Sequence, residues 1–342
     1  MADSMVQHKQ CWMGLGLQTG VGVAASEPTV LFPISEEAAM GYKPNYTFFQ
    51  YADAKMSGPR GYWSGGEWSE GSLSLPLVPG MLADAGGTGG MDGTITINNS
   101  IEDIGMWAFA RTHTADTSAN YGQGLFASVF RYTFHKAEIF QDVKVTSGKI
   151  GVSFGQRAML DLNLLGLRKP ADTVAMSRSG ITDATAVTIA PYTFKDASLT
   201  LGTSSSGDLS GLAVADIVTN DHSLDFDNMC AGADESGSLS GAAYPRYLPN
   251  NELAQWTATF NRHYLNADYY AYFLAGTECQ YALNLHVADL AEATITFPRI
   301  VYTDSPLVIP ASGFLGQDGI SFQALASLDG DTNAWTIEET MD

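Results

Sequence analysis

The sequence has few cysteines and no long hydrophobic run. Its three cysteines, Cys11, Cys230 and Cys279, lie far apart and form no C-x-x-C pair. An odd number of widely spaced cysteines indicates neither a disulfide framework nor a zinc site. No stretch approaches the roughly 18 apolar residues of a membrane helix, and the first residues lack the apolar core of a secretory signal. We therefore expect reduced thiols and synthesis in a cytoplasm.

Positive charge is also scarce. The chain has 17 Lys and Arg against 37 Asp and Glu, a net charge of -20. Residues 1–170 hold 12 basic and 15 acidic residues, whereas residues 171–342 hold 5 and 22. This balance excludes a generic basic surface for nucleic acid, because contact with the phosphate backbone would be repulsive on average.

The usual catalytic motifs are missing. The sequence contains no G-x-S-x-G, no Walker P-loop, no G-x-G-x-x-G before a helix and no H-E-x-x-H. The six histidines have no metal-ligand spacing, and His263 and His286 fall on the polar sides of predicted strands. The sequence therefore predicts no catalytic residues, and we expect that the protein is not an enzyme and needs no cofactor.

One acidic run could suggest calcium. Asp329, Asp331 and Asn333 occupy the first, third and fifth positions of an EF-hand-like loop. Ala334 stands where that loop requires glycine, and Thr340 where it requires a bidentate glutamate. We therefore predict a polar turn here and no metal site.

The composition favours β-structure. The chain is 45% hydrophobic, only 16% charged, and contains 35 glycines, which suits strands joined by tight turns. Polar and apolar residues alternate in RAMLDLNLL and in SLDFDN, the period-two pattern of half-buried strands. Such strands present their polar residues on the sheet face opposite the core. These polar residues are Arg157, Asp161 and Asn163 in the first segment and Ser223, Asp225 and Asp227 in the second.

Large aromatic side chains are concentrated between Thr47 and Trp68. Two explanations remain open, a domain core or a contact with another protein, since Tyr and Trp are enriched at interfaces. The candidate interface residues are Phe48, Phe49, Tyr51, Tyr62, Trp63 and Trp68.

The chain predicts two similar domains. Residues 1–45 include the Gly- and Ala-rich stretch Gly14 to Ala25 and are interpreted as an N-terminal arm. Residues 46–170 form a first domain, the polar residues 171–190 a linker, and residues 191–342 a second domain.

Each predicted domain contains one short helix. Residues 98–100 can cap a helix from Ile101 to about Arg111, and Asn266 can begin another that ends at Gly276. Both domains pass from an alternating strand to such a helix and then to further strands. This shared order indicates a duplication.

Several segments resemble the tail tube (major tail) proteins of long-tailed bacteriophages, the siphoviruses. In the second half these are FKDASLTL, SLDFDN, LPNNELAQWTATFNRHYLNADYYAYFLAG and ATITFPRIVYTDSPLVIPASGFLGQDGISFQALAS; in the first half it is HKAEIFQDVKVTSGKIGVSFGQRAMLDLNLLG. The resemblance is one of pattern and order, and it covers roughly residues 45–342.

The resemblance implies a mainly β protein of two tandem tail-tube-like domains, each a β-sandwich or partial barrel with one short helix. It also implies homotrimeric, pseudo-hexameric rings that stack by helical assembly into the hollow tube of the virion tail. The partners would be other copies of the chain, the tape measure protein, tail-end or connector proteins, and double-stranded DNA passing through without specific binding or any membrane contact. The lumen-facing candidates are Ser223, Asp225, Asp227, Arg157, Asp161 and Asn163.

Two other classes of function remain open. The first is a different virion structural protein, such as a baseplate or capsid decoration component. The second, less favoured, is a carbohydrate-binding β module, because exposed Trp and Tyr also suit sugar faces.

Overall fold

The computed structural model of the chain confirms the mainly β fold. It describes residues 11–33, 38–49, 61–82, 100–109, 125–133, 136–168, 171–172, 190–203, 213–214, 221–230, 255–263, 268–306, 309, 316–325 and 335–341. The strands are β1 (Trp12–Leu17), β2 (Val30–Leu31), β3 (Ala38–Phe49), β4 (Gly61–Pro76), β5 (Ala127–Thr133), β6 (Lys136–Ser153), β7 (Met159–Gly166), β8 (Ala171–Asp172), β9 (Ala197–Thr203), β10 (Ala213–Val214), β11 (Asp221–Asp227), β12 (Gln255–His263), β13 (Cys279–Val287), β14 (Ala291–Asp304), β15 (Gly316–Ala324) and β16 (Thr336–Met341). The helices are α1 (Glu102–Phe109) and α2 (Asp268–Ala275), and Phe194–Asp196 form a 3-10 turn.

The same strand order occurs twice. In repeat 1 (β1 to β8 with α1) the strands pair in the order β2-β1-β5-β6-β7-β4-β3, and β8 pairs with β6. In repeat 2 (β9 to β16 with α2) they pair in the order β10-β9-β13-β14-β15-β12-β11, and β16 pairs with β14. Each helix follows the fourth strand of its repeat. The duplication inferred from the order of sequence elements is thus present in the pairing of the strands.

β-bulges fix which residues correspond. The ladder between β6 and β7 shifts register after Val145, and the ladder between β14 and β15 shifts after Tyr302. Both ladders resume two residues later, at Ser147 and at Asp304. Because a bulge inserts one residue at a defined place in a strand, the shifts match Val145 to Tyr302 and Ser147 to Asp304.

The two repeats are joined side by side. β11 of repeat 2 pairs antiparallel with β6 of repeat 1 over Asp221–Asp227. A common core runs behind this junction, where the Phe109 ring of α1 lies 4.8 Å from Phe226 and 5.6 Å from Trp256. The sheet therefore continues across the predicted boundary between the two domains, and the division into separate domains remains a prediction.

Both predicted helices are confirmed. Helix α1 carries Glu102 and Asp103 in its first turn, where negatively charged carboxylates interact favourably with the positive end of the helix dipole. Helix α2 ends before Gly276, whose φ of 61° is a left-handed conformation that glycine adopts at little cost.

The N-terminal segment differs from the predicted arm. β1 pairs with β5 at six successive positions, and Met13, Leu15 and Leu17 are buried in the core of the same chain. Gly14 and Gly16 interrupt this alternation because the chain crosses closely there: a Cβ atom on Gly16 would lie 2.8 Å from the Glu27 carbonyl oxygen. The glycines that suggested an arm permit close packing within the domain.

Candidate functional site

One face of the sheet is polar across both repeats. Strands β4, β7, β6, β11, β12 and β15 are neighbours in that order. In β7 and β11 the residues that face the core are apolar except for His222, and the residues between them are partly or fully exposed. This alternation confirms the two-faced strands that the sequence predicted. We call the opposite, solvent-facing side of these six strands the polar face.

Strand register places the polar side chains in rows across this face. One row runs through directly opposed residues of the six strands: Ser74, Asp161, Lys149, Asp225, Thr257 and Gln323. The next runs through Ser72, Asn163, Ser147, Asp227 and Gln255. Residues far apart in the sequence, from both repeats, therefore lie beside one another on one surface.

A shallow groove follows these rows. It has a volume of about 520 Å³, and its lining includes Lys149, Asp161, Asn163, Asp225 and Asp227. Lys149 stands in the middle strand with Asp161 opposite on one side and Asp225 opposite on the other. Opposite charges on directly facing residues stabilise an antiparallel pair. With three carboxylates and one ammonium, the groove is negative.

Hydrogen bonds between side chains orient several of these polar groups. Ser74 Oγ donates to Asp161 Oδ1 at 2.5 Å, and Asn163 Nδ2 donates to Ser147 Oγ at 3.0 Å. Ser223 Oγ donates to Asp225 Oδ2 at 3.0 Å. These bonds link side chains on the surface, so the face presents fixed carboxylates to solvent.

The groove offers acids without the other parts of a catalytic or metal centre. Its lining residues include no histidine, cysteine or tyrosine to act as a nucleophile or base beside the carboxylates. Over the described ranges, no group of three His, Cys, Asp or Glu side chains is placed to hold a metal ion. The three carboxylates of this groove would repel anions.

Four of the six predicted surface candidates line this groove, namely Asp161, Asn163, Asp225 and Asp227. Ser223 lies further along β11, and Arg157 is exposed in the connection between β6 and β7, where it forms a backbone bridge with Thr193. Sequence reasoning missed Lys149, Ser147, Gln255 and Thr257. The alternation of Trp256, Ala258 and Phe260 with Thr257 and Thr259 predicts a two-faced strand here as well, but its polar residues were not among the surface candidates.

Five of the six aromatic candidates lie on the paired strands β3 and β4. In the β3–β4 ladder Phe48 is opposite Tyr62, Phe49 is opposite Gly61, and Trp63 is opposite Thr47. The side chains of Phe48, Phe49, Tyr62 and Trp63, and the whole of Tyr51, lie outside the described residues. Trp68 is half-buried, and its Nε1 donates to Glu70 Oε1 at 2.6 Å. Their role at an interface remains a prediction.

The structure describes some, but not all, of the remaining residues that the sequence analysis singled out. The predicted turn with Asp329, Asp331, Asn333 and Ala334 lies outside the described residues, as does the His263 side chain. His286 is exposed on β13, as its polar strand position predicted. Cys279 is buried, Cys230 half-buried and Cys11 exposed, and none of the three is in a disulfide.

A buried histidine appears that the sequence did not single out. His222 of β11 lies in the core, where its Nε2 is hydrogen-bonded to the Tyr281 hydroxyl and the two rings stack 5.7 Å apart. Burial lowers the pKa of His222 from 6.5 to about 3, because the charged imidazolium loses its hydration. This histidine is a neutral packing residue.

A buried carboxylate links the two repeats. Glu339 of β16 accepts hydrogen bonds from the backbone N–H groups of Gly80 at 2.8 Å and Leu82 at 2.7 Å. The Tyr192 hydroxyl donates to it at 2.6 Å. Burial raises the pKa of Glu339 against the effect of these three donors. The C-terminal strand of repeat 2 is thereby tied to the loop after β4 of repeat 1.

Within the described segments, no helix has the length and apolar character needed to cross a membrane. Comparison with known proteins adds no assignment: no protein-family model matches the chain, and no curated protein matches its sequence.

Proposed function

We propose that this chain is the tail tube protein of a long-tailed bacteriophage. In this proposal, homotrimeric, pseudo-hexameric rings stack into the hollow tube through which genomic DNA leaves the virion. The observation that carries the proposal is the polar, acidic face that runs without interruption across two repeats of one strand order. The resemblance of the strand segments to tail tube proteins gives this face its assignment to a lumen.

The charge of the face fits passage of DNA without binding. A channel that neutralises phosphates with Lys or Arg gains affinity with each contact and would retain the DNA. Here the Lys149 ammonium faces Asp161 and Asp225 in the adjacent strands, so it offers little net positive charge to a phosphate. Repulsion from the carboxylates acts over roughly a Debye length, about 8 Å at physiological salt. Such a wall would keep DNA near the tube axis.

The duplicated fold fits the ring. Two repeats of one chain, joined edge to edge, provide two equivalent wall segments, so three chains would provide a pseudo-hexameric ring. A heterologous contact that closes makes a ring, and a second contact between rings extends it into a filament. The tape measure protein and the tail-end proteins are the proposed partners inside and at the ends of the tube.

Electron microscopy of the purified full chain tests this proposal. We expect long hollow polymers of uniform diameter, formed from stacked rings. The experiment is repeated over a range of protein and salt concentrations. If the protein forms only compact oligomers under all of these conditions, the tube proposal is contradicted and another virion component is favoured.

A charge reversal tests the lumen assignment separately. In Asp225→Lys with Asp227→Lys, we expect tubes of normal appearance but slow DNA ejection from virions, relieved by added salt. Asp225→Asn with Asp227→Asn is the matched control, because it removes the carboxylates without adding cations. If the lysine variant ejects DNA at the normal rate in low salt, this face does not line the lumen.

A further inference from the structure

Contacts in the core reinforce the β6–β11 ladder between the two repeats. The ladder pairs Asp221–Asp227 with Ser147–Ser153 at seven successive positions. Neighbouring strands of a sheet can twist relative to one another by roughly 10 to 35°, so backbone pairing alone leaves the angle between the repeats poorly defined. Packing of the Phe109 ring against Phe226 adds cohesion without direction, whereas a hydrogen bond restricts both distance and angle. Hydrogen bonds away from the ladder are therefore the contacts that can define this angle.

Asn228, the residue after β11, makes two such hydrogen bonds. It is 5% exposed, and its Nδ2 donates to the Ala108 carbonyl of α1 at 3.1 Å and to the Val145 carbonyl of β6 at 3.0 Å. Ala108 is in the last turn of α1, where carbonyls lack partners within the helix, and Val145 lies directly before the bulge. One amide group of repeat 2 thus connects a helix end and a strand bulge of repeat 1.

The backbone on both sides of Asn228 holds this amide in the core. The Asn228 N–H donates to the Thr146 carbonyl at 2.8 Å, so contact with β6 continues past the end of β11. The next residue, Met229, has a φ of 50°, a left-handed conformation that is uncommon for a residue other than glycine. Its N–H donates to Asp227 Oδ1 at 2.7 Å. Such a conformation persists where the surrounding contacts determine it.

Glu339 connects the repeats near the other end of the ladder. Through directly opposed residues of β7 and β6, Pro76 of β4 is level with Ser223, near the start of β11. The N–H groups that Glu339 binds belong to the loop that follows β4. Asn228 and Glu339 therefore hold the repeats together near opposite ends of the same ladder.

Repeat 1 has a different residue at the position of Asn228. Counting from the bulges along the ladders places Lys43 of β3 at the position of Asp227, and Pro44 at that of Asn228. Proline has neither a side-chain amide nor a backbone N–H to donate. The strand also continues here in repeat 1, since β3 extends to Phe49. The amide contact therefore belongs to the junction within the chain and is not a feature of the repeated fold.

We propose that Asn228 fixes the angle between the two repeats, and thereby the number of chains that close into a ring. The inference deepens the proposed function and rests on it for the existence of the ring. Each chain supplies two wall segments, so the angle inside the chain sets the curvature at half of the joints around the ring. A different angle at these joints changes the number of copies at which the rotation closes. Asn228 is thus a positioning residue for assembly.

Electron microscopy of tubes formed by the full chain tests this role. Asn228→Leu keeps a side chain of similar size but removes both hydrogen bonds to repeat 1. We expect a loss of uniform diameter, with rings of more than one copy number. Leu15→Ala is the matched control, because it removes buried apolar surface from β1, away from the junction, and should leave the diameter uniform.

Thermal unfolding shows whether each variant is folded before its tubes are compared. If Asn228→Leu does not fold, Asn228→Ser is the milder variant, because a single hydroxyl group donates one hydrogen bond and cannot satisfy both carbonyls. We expect the same loss of uniform diameter in this variant.

Pulsed electron spin resonance on the unassembled full chain measures the angle without tubes. Spin labels are attached at Ala39→Cys on β3 and at Glu292→Cys on β14, one exposed site in each repeat. All compared proteins share Cys11→Ser and Cys230→Ser, which leaves the buried Cys279 as the remaining native thiol. We expect a broader distribution of distances between the labels when Asn228→Leu is added, and no broadening when Leu15→Ala is added.

The two measurements separate this inference from the proposed function. Tubes of uniform, normal diameter in the folded Asn228 variants overturn the role of Asn228 and leave the tube proposal intact. An unsubstituted chain that never extends beyond compact oligomers overturns the tube, while a broader distance distribution in Asn228→Leu still supports the fixed angle. Equal broadening or equal loss of uniform diameter in Leu15→Ala overturns the inference, because it would show a general effect of lower stability.

Discussion

The two repeats keep the same strands and bulges but place different charges on them. At the bulge of β6, repeat 1 carries Asp142, which lies one residue before the partner of Ala127; the equivalent residue of β14 in repeat 2 is Arg299. Asp142 is buried, accepts the Gly22 N–H at 2.7 Å and pairs with Arg168 at 2.8 Å. Arg299 forms two hydrogen bonds with the half-exposed Glu278. The two repeats therefore share the backbone path of their strands and bulges. The residue at the bulge can carry a negative or a positive charge, provided that an oppositely charged side chain pairs with it.

The carboxylates of Asp142 and Glu278 differ in burial, and their pKa values shift in opposite directions. Burial raises the pKa of Asp142, although the Gly22 N–H and the Arg168 guanidinium act against it. Hydrogen bonds from Arg299 lower the pKa of Glu278, which is half-exposed to water. The first carboxylate depends on its partners for stability in the folded state, while the second can be solvated without them.

We expect the largest loss of stability when a buried side chain is shortened in the core of either repeat. Leu15 of β1 and Leu201 of β9 face Val129 and Tyr281, the equivalent residues of β5 and β13 just past the bulges of their partner strands β6 and β14. Because both leucines are buried, we expect Leu15→Ala and Leu201→Ala each to lower the free energy of unfolding by about 2–5 kcal/mol in urea titrations. Val23→Ala, at an exposed site, is the control.

The same titrations test whether the repeats unfold together. The β6–β11 ladder and the shared aromatic core predict one transition in both variants. Two separated transitions, with only the substituted repeat shifted, would show that the repeats are independent folding units.

The next effect concerns the link between the repeats. Glu339→Ala removes the acceptor for three buried donors, and each unsatisfied buried donor costs about 1–3 kcal/mol. We expect a loss of about 3 kcal/mol in the free energy of unfolding. Glu338→Ala, on the exposed side of the same strand, should change it by less than about 0.5 kcal/mol. Equal effects of the two substitutions would contradict the role of Glu339.

A smaller difference in stability should distinguish the charge pairs at the bulges of β6 and β14. Arg168→Gln leaves Asp142 buried without its guanidinium and should cost about 1–3 kcal/mol. Arg299→Gln leaves Glu278 in a half-exposed position and should cost less than about 1 kcal/mol. Both are measured as changes in the free energy of unfolding at pH 7. A reversed order would show that the bulge in repeat 2 depends more on its charge pair.

The smallest effect is a pH dependence that comes from repeat 2 alone. The bulges match Leu164 to Phe322, and the ladders beside them match Gly71 to Ala258. By the same register Ala38 of repeat 1 stands at the position of His222. The folded-state pKa of His222 is about 3, below the ordinary value of 6.5, so the unfolded chain binds this proton more tightly. Its contribution to stability is complete above pH 6.5 and is lost as the pH falls toward 3, at about 1.4 kcal/mol per pH unit.

Between pH 6.5 and 5, above the range in which most carboxylates titrate, His222→Gln should lose stability less steeply than the unsubstituted protein. His286→Gln, at an exposed site on β13, is the control and should follow the unsubstituted profile. Identical slopes for all three proteins would mean that His222 gains its proton at the same cost in both states.

Local sequence patterns were sufficient to predict several individual strands and both helices. Alternation of Leu160, Leu162 and Leu164 with polar residues predicted β7 and its polar side, because successive side chains of a strand point to opposite faces. The acids of the first turn predicted the start of α1, and Gly276 predicted the end of α2. These features depend only on neighbours in the chain, which is why the mainly β class and the surface candidates of β7 and β11 could be predicted.

The pairing of the strands, in contrast, follows from long-range contacts in the folded chain. The pairing of β11 with β6 joins residues 68 to 80 positions apart in the sequence and brings Lys149 between Asp161 and Asp225, and no local pattern encodes that register. The alternation of Met13, Leu15 and Leu17 was present in the sequence, but the intervening glycines suggested an arm until the close crossing of residues 25–31 gave them a reason. His222 likewise follows the inward period of β11, yet its burial depends on Tyr281, which a distant strand supplies. Long-range contacts form between surfaces rather than between sequence neighbours, so their register is fixed only when the whole sheet assembles.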